Sequence, residues 1–356
     1  MTAVDRLGPA IGIRELYRDV VSEKWPVIVA PQHDELLSSW LHRLAYANGL
    51  APRPFARVLG LHAGMWSASL DLKLPADAEN LLRAHTGISP ARLSAMMLTR
   101  SSLKPLLLPL RSTGRRAGST WLQFCSHCLA EDAEPYFRRR WRLAIQVSCA
   151  THRCGLRDRC PSCHSRIEAF DQSELVPQHY CVHCGFDLRR ASKVPMSPPA
   201  VRLDRCINDI CRLEAITGSL RSGTLVQRLL RIPSVSDNFP TASLGSLSTS
   251  MRIRCVERLA NRPTDWLTAD EDAMAAHWRR SILLAGGHAP LIAKLADALE
   301  QKSQRRTTTI RRMPTAELST LLGAYVRVME GPPRRRSRKC RSTPSDGAQT
   351  RSEKGP

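Results

Sequence analysis

Eight of the twelve cysteines in this 356-residue chain fall between Cys125 and Cys184. They supply most of four donor pairs at a gap of two: Cys125-Ser-His-Cys128, Cys149-Ala-Thr-His152, Cys160-Pro-Ser-Cys163 and Cys181-Val-His-Cys184. Such a gap lets both side chains of a tight turn converge on one tetrahedral ion, with zinc–sulfur distances of about 2.3 Å. The pattern predicts two Zn2+ per chain. Cys125, Cys128, Cys149 and His152 would form the first site, with Cys154 an alternative to His152 as fourth donor. Cys160, Cys163, Cys181 and Cys184 would form the second. Disulfides fit less well, because Asp5, Arg14, Glu15, Arg18, Asp19, Glu23 and Lys24 interrupt any secretory hydrophobic segment at the start. Catalytic zinc would need an open position that four protein donors do not leave. The His-x-Glu and Pro-Cys-x-x-Cys combination of zinc deaminases is also absent. Cys206, Cys211 and Cys255 lack partners at ligand spacing and read as buried apolar residues.

Charge points to a polyanion. The chain carries 53 basic and 32 acidic residues, a net +21, yet its first hundred residues are nearly balanced, with 11 basic against 9 acidic. The excess begins with the cysteine region. Arginine outnumbers lysine 45 to 8, and its planar fork matches phosphate oxygens in pairs. A GC-rich genome also writes arginine for lysine, but that does not explain the neutral first hundred residues. No apolar run approaches the roughly 18 residues of a membrane span, so no membrane association is expected.

The predicted fold class is mainly α with small zinc-bound knuckle modules. An extension (1–30) leads into a helical, helix-turn-helix-like domain (31–120). Zinc modules at 121–157 and 158–192 follow, then a C-terminal all-α region (200–330) and a basic tail (331–356). Asp34 is expected to cap a helix bearing Leu37, Trp40, Leu41 and Leu44 on one face, stopped by Asn48-Gly49. A short helix over 54–59 closes at Gly60. Ala78–Thr86, Gly87 and a helix capped by Ser89-Pro90 and running to Leu98 outline a helix-turn-helix. That pair either reads DNA or packs as a docking module. Lys193–Pro199, with three prolines, reads as a hinge.

Candidate nucleic-acid contacts follow the arginines. Arg115 and Arg116 lie in a glycine-containing basic linker. Arg138, Arg139, Arg140 and Arg142 interleave with Tyr136, Phe137 and Trp141, the latter two expected in the core. These four arginines serve either phosphate or solvent. Arg305, Arg306, Arg311 and Arg312 flank threonines in an expected interhelical loop, with the same alternatives. The tail is proline-, serine- and arginine-rich without apolar period and is expected to be disordered.

Three stretches together resemble the TniQ family, which includes TnsD-type transposition target selectors. They are Asp34-Glu35-Leu36-Leu37-Ser38-Ser39-Trp40-Leu41-His42-Arg43, then Phe124-Cys125-Ser126-His127-Cys128 with Tyr136 and Trp141-Arg142, and Cys149-Ala150-Thr151-His152 running through the paired knuckles to Gly185. They span roughly residues 27–190. His152-Arg153-Cys154-Gly155 departs from the family's histidine-glycine. The resemblance implies a non-enzymatic role in transposition. Such a protein binds target DNA or a guide-RNA targeting complex, and recruits an AAA+ ATPase of the TnsC/TniB type that engages the transposase. Some relatives are dimers, which makes a homodimer one state to expect. Trp40 and Arg43, in the family's opening motif, become candidate partner-binding residues, and a bacterial cytoplasmic, nucleoid-associated location follows. No catalytic residue is expected: no nucleophile–base pair, phosphate loop or acidic metal triad is evident. The rivals are a zinc-finger or helix-turn-helix transcriptional regulator, and a zinc-dependent nuclease using a histidine beside the knuckles.

Overall fold

In a computed structural model, residues 24–61, 68–99, 103–110, 118–217, 223–236, 242–261 and 273–307 are described. All of them fall in one compact unit spanning Met1–Thr309. The helices are α1 (Leu37–Ala47), α2 (Pro52–Val58), α3 (Ala76–Thr86), α4 (Pro90–Met96), α5 (Ser126–Glu131), α6 (Pro198–Thr217), α7 (Thr224–Leu230), α8 (Ile232–Val235), α9 (Thr249–Leu259), α10 (Ala273–Ala285) and α11 (His288–Thr307). Among the described residues extended pairing is confined to isolated antiparallel bridges, such as Phe124 with Arg157 and Gly155 with Val194. The expected mainly helical fold is observed. No single described helix is long and apolar enough to cross a membrane.

The N-terminal helices form where the sequence predicts, with corrections at their ends. Leu36, not Asp34, is the residue at the N-cap of α1. The free amide of Ser38 donates to Asp71 Oδ1 at 2.9 Å, so a carboxylate 33 positions away does the capping. Asp34 instead adopts φ 58° and pairs with Arg140 Nε at 2.8 Å. Leu37, Trp40, Leu41 and Leu44 are buried as expected, against Phe55, Leu59, Leu82 and Leu93. Gly87, at φ 69°, ends α3, and the Ser89 hydroxyl accepts from Arg92 N to start α4. α4 stops at Met96, two residues short of Leu98.

The expected module boundaries are crossed by packing. Phe170, from the second cysteine-rich segment, lies wholly buried among the N-terminal helices. There His42 Nε2–H donates to the Val176 carbonyl at 2.8 Å, and its Nδ1 accepts from Phe170 N at 3.3 Å. A second core joins Leu106, Leu108, Ala144, Ile145 and Val147 to α6, α7, α9 and α10, and buries Cys206, Cys211 and Cys255 as foreseen. The anticipated hinge at 193–199 is fixed. Gly155 N donates to the Val194 carbonyl, Val194 packs on this core, and Ser197 Oγ accepts from Ala200 N at the start of α6. Its prolines end one element and begin the next.

Three polar clusters lie inside the fold. Arg142 and Asp71, both fully buried, pair at 2.7 Å. The guanidinium also reaches the Ala68 carbonyl and lies over Trp121 at 4.8 Å. Asp204 accepts from Ser148 Oγ and from the amides of Val147 and Ser148. Arg252 donates to the carbonyls of Leu247 and Ala144 and to Thr249 Oγ1. Burial lowers its pKa to about 10.

Two predictions follow from the buried charges. Removing one member of the Arg142–Asp71 pair strands the other charge. Arg142→Met should therefore lose about 3–5 kcal/mol in urea denaturation, and an Arg142→Met/Asp71→Leu double variant much less. Burial pulls the His42 pKa from 6.5 down to about 4. Its neutral form therefore stabilises the fold above pH 6.5, and that contribution fades as pH falls towards 4. Asp204, raised by burial to about 7, works in the opposite sense, adding stability as pH drops below 7. The penalty of His42→Asn, in which Asp204 is common to both proteins, should shrink by about 2 kcal/mol between pH 7 and 5.

Candidate metal centres

Three of the four donor pairs are built by one repeated turn. In each, the amide four residues after the first donor bonds back to that donor's carbonyl: Arg153 N to Cys149 O, His164 N to Cys160 O, and Gly185 N to Cys181 O. The first donor's own amide bonds five residues ahead, to Cys154, Ser165 and Phe186 respectively. The residue closing each turn sits in the left-handed region, Arg153 at φ 50°, His164 at 61° and Gly185 at 68°. This curl points donors one and four of the turn to the same side. The remaining pair uses a helix start instead: Cys125 precedes α5, and Cys128 lies in its first turn.

The turns bring together the two predicted sets, Cys125, Cys128, Cys149 and His152, and Cys160, Cys163, Cys181 and Cys184, with donor atoms in each within 4.8 Å of one another. Their separations fit one tetrahedral ion. With zinc–sulfur distances of about 2.3 Å, tetrahedral donors lie roughly 3.6–3.8 Å apart. Observed distances are 3.5 Å for Cys128 Sγ to Cys149 Sγ and 3.6 Å for both Cys160 to Cys184 and Cys163 to Cys181. His152 Nδ1 is 3.4–3.5 Å from Cys125, Cys128 and Cys149 alike. Cys154 Sγ lies 3.8 Å from Cys125 and is outside the converging set. The alternative with Cys154 as fourth donor is thus set aside in favour of His152. The far ring nitrogen, His152 Nε2, meets Glu131 Oε1 at 2.7 Å, the carboxylate–histidine arrangement that fixes the tautomer of a metal-binding imidazole.

The chemistry of these sets suits a cation. Burial pushes the Cys181 thiol up to about 12, against the opposing pull of the His183 and Cys184 amides. Four such sulfurs this close become thiolates together only when a dication neutralises them. Zinc would be held by the eight named residues in two closed sites, binding and organising the chain between Trp121 and Ala191. The two differ in exposure: Cys125, Cys128 and Cys149 are buried, whereas Cys163 is half-buried and Cys184 exposed.

The candidate contact residues sort differently. Arg142 is corrected: wholly buried on Asp71, it cannot meet a polyanion. Trp40 is likewise corrected, since it is fully buried and its Nε1–H donates to the Val29 carbonyl at 2.8 Å. Arg43, 8% exposed, is held between Glu35 and Glu134. Arg138 pairs with Asp132 at 2.8 Å and stacks over Tyr136 and Trp141. Arg140 pairs with Asp34. Arg139 has no ion-pair partner among the described residues. Phe137 and Trp141 are in the core, as expected. Arg305 and Arg306 fall on the last turn of α11 and not in a loop. Arg115, Arg116, Arg311, Arg312, residues 308–330 of the expected all-α region and the tail lie outside the described residues. Sequence reasoning missed Glu131, whose proximity to His152 arises from folding across 21 positions.

A helical protein organised around two closed four-donor centres is therefore the class defined by fold and site. Residues 26–156, a little over a third of the chain, match the TniQ family model, so this segment is similar to a TniQ domain. The first donor set lies inside that match and the second beyond it. No curated protein matches the chain.

Two consequences can be measured. Glu131→Gln should weaken zinc at the first site by 10–100-fold in competition titration and leave the second unaltered. Chelator should strip two equivalents of zinc in two phases, the more exposed second site first. Cys184→Ser should abolish the fast phase alone.

Proposed function

We propose that the protein is a non-enzymatic transposition adaptor that binds target DNA, or a nucleic-acid targeting complex, and recruits an AAA+ regulator of the TnsC/TniB type. The observation that carries this reading is the closure of both metal centres in a chain with a segment similar to a TniQ domain. Each set presents four protein donors, so a tetrahedral ion has no vacant position for substrate or water and serves as scaffold. The net charge of +21 supplies affinity for a nucleic-acid backbone. A bacterial cytoplasmic location beside the nucleoid fits that role.

The transcription-regulator reading draws on the helix–glycine–helix of α3 and α4. α4 has only 7 residues, and Arg92 is the one long basic group on its exposed side. A recognition helix needs several groups reaching base edges, so the adaptor is favoured. The test mixes full-length protein, duplex DNA and the AAA+ regulator of the same element. A ternary complex that sediments together, without nicking in Mg2+ or Zn2+, is expected. Metal-dependent cleavage lost in His127→Ala, or DNA binding with no affinity for the ATPase, would contradict the proposal.

A further inference from the structure

An open cleft of about 1010 Å3 separates the loop before α1, α4, the turn at Arg139–Arg142 and the flank of α6. Arg92, Arg139, Arg140, Arg205 and Arg212 line it. So do four carboxylates, but each is already engaged. Asp34 holds Arg140 and Glu35 holds Arg43. Asp204 takes the Ser148 hydroxyl, and Asp209 accepts from His288 N at 2.8 Å. Arg92, Arg139, Arg205 and Arg212 have no ion-pair partner among the described residues. Arg139 Nε is buried without a hydrogen-bond acceptor among the described residues, so its guanidinium is not spent on a partner within the fold.

The geometry suits a repeating anion. Arg205 and Arg212 are seven residues apart, hence on one face of α6 and about 10.5 Å apart along its axis. That is far enough for the two guanidinium groups to meet different phosphates of one strand. No Phe, Tyr or Trp lines the cleft, so it lacks the platforms on which unpaired bases stack. Contacts of this kind fix position without reading sequence.

We propose that this cleft grips a phosphodiester backbone through Arg92, Arg139, Arg205 and Arg212. The inference rests on the nucleic-acid-binding reading above and places it on one surface. Of the arginine run at 138–142, Arg139 alone is left for phosphate, and its companions come from helices distant in sequence.

The test uses full-length, zinc-loaded protein and labelled duplexes of DNA and of RNA, with affinity followed from 50 to 300 mM salt. Arg205→Gln/Arg212→Gln should lower the slope of log K against log salt by about 2, and adding Arg92→Gln and Arg139→Gln by about 4 in all. Unchanged zinc content and Tm would show that these variants are folded. Arg57→Gln/Arg190→Gln, exposed elsewhere, should leave the slope in place. A fall in slope with either duplex supports the cleft, and the duplex affected identifies the source of the backbone. Tight binding by wild type with an unaltered slope in the cleft variants would overturn the cleft while leaving nucleic-acid binding intact. Loss of the AAA+ regulator alone would make the cleft a site for an acidic protein and overturn the proposal. Failure of wild type to bind either duplex would overturn the underlying reading as well.

Discussion

Between Trp121 and Ala191 the chain has one helix of 6 residues, two turns of 3-10 helix and isolated bridges. Backbone pairing of that kind cannot hold seventy residues in place. What constrains the segment is convergence of donors from distant turns on two points. Cysteines of both sets are part of the same buried cluster as Phe124, Leu129, Phe137, Trp141 and Leu156. Metal binding and core formation would thus be one event, in which the ligand free energy is folding free energy.

The remaining elements hang on that segment. Phe170 and His42 dock it to the N-terminal helices, while Arg142 reaches back to the carboxylate that caps α1. On the other side, Val147 and Ser148, just before Cys149, bind Asp204 of α6. Thr249 N donates to Asp158 Oδ2, just before Cys160. The joints are polar and buried, and therefore directional: they set orientation where apolar contact would allow sliding. α10 and α11 follow, with a bend of 92° between them.

What was legible in the sequence was local. The two-residue gaps announced both donor sets, because a knuckle is completed within six residues. Helical periodicity and the glycines at 49, 60 and 87 placed the N-terminal helices. Pairings at long separation were hidden: Arg142 with Asp71 spans 71 positions, His42 with Phe170 spans 128, and Arg252 with Ala144 spans 108. Each involves a polar residue that composition assigns to the surface. The arginine run shows the cost. From sequence its members were equivalent, yet one is entombed, two are paired, and Arg139 alone lines the cleft without an ion-pair partner among the described residues. Likewise the prolines at 195–199 suggested flexibility, whereas packing of Val194 and the cap of α6 make that stretch a rigid joint.

X-ray absorption at the zinc edge of the purified full-length protein tests the central idea most directly. Two closed centres predict two zinc ions per chain in a shell of four donors. Averaged over both, that shell is seven sulfurs to one nitrogen, with zinc–sulfur distances of about 2.3 Å and no oxygen. A spectrum with an oxygen donor at either zinc, or a single equivalent of metal, would contradict a purely structural pair of sites.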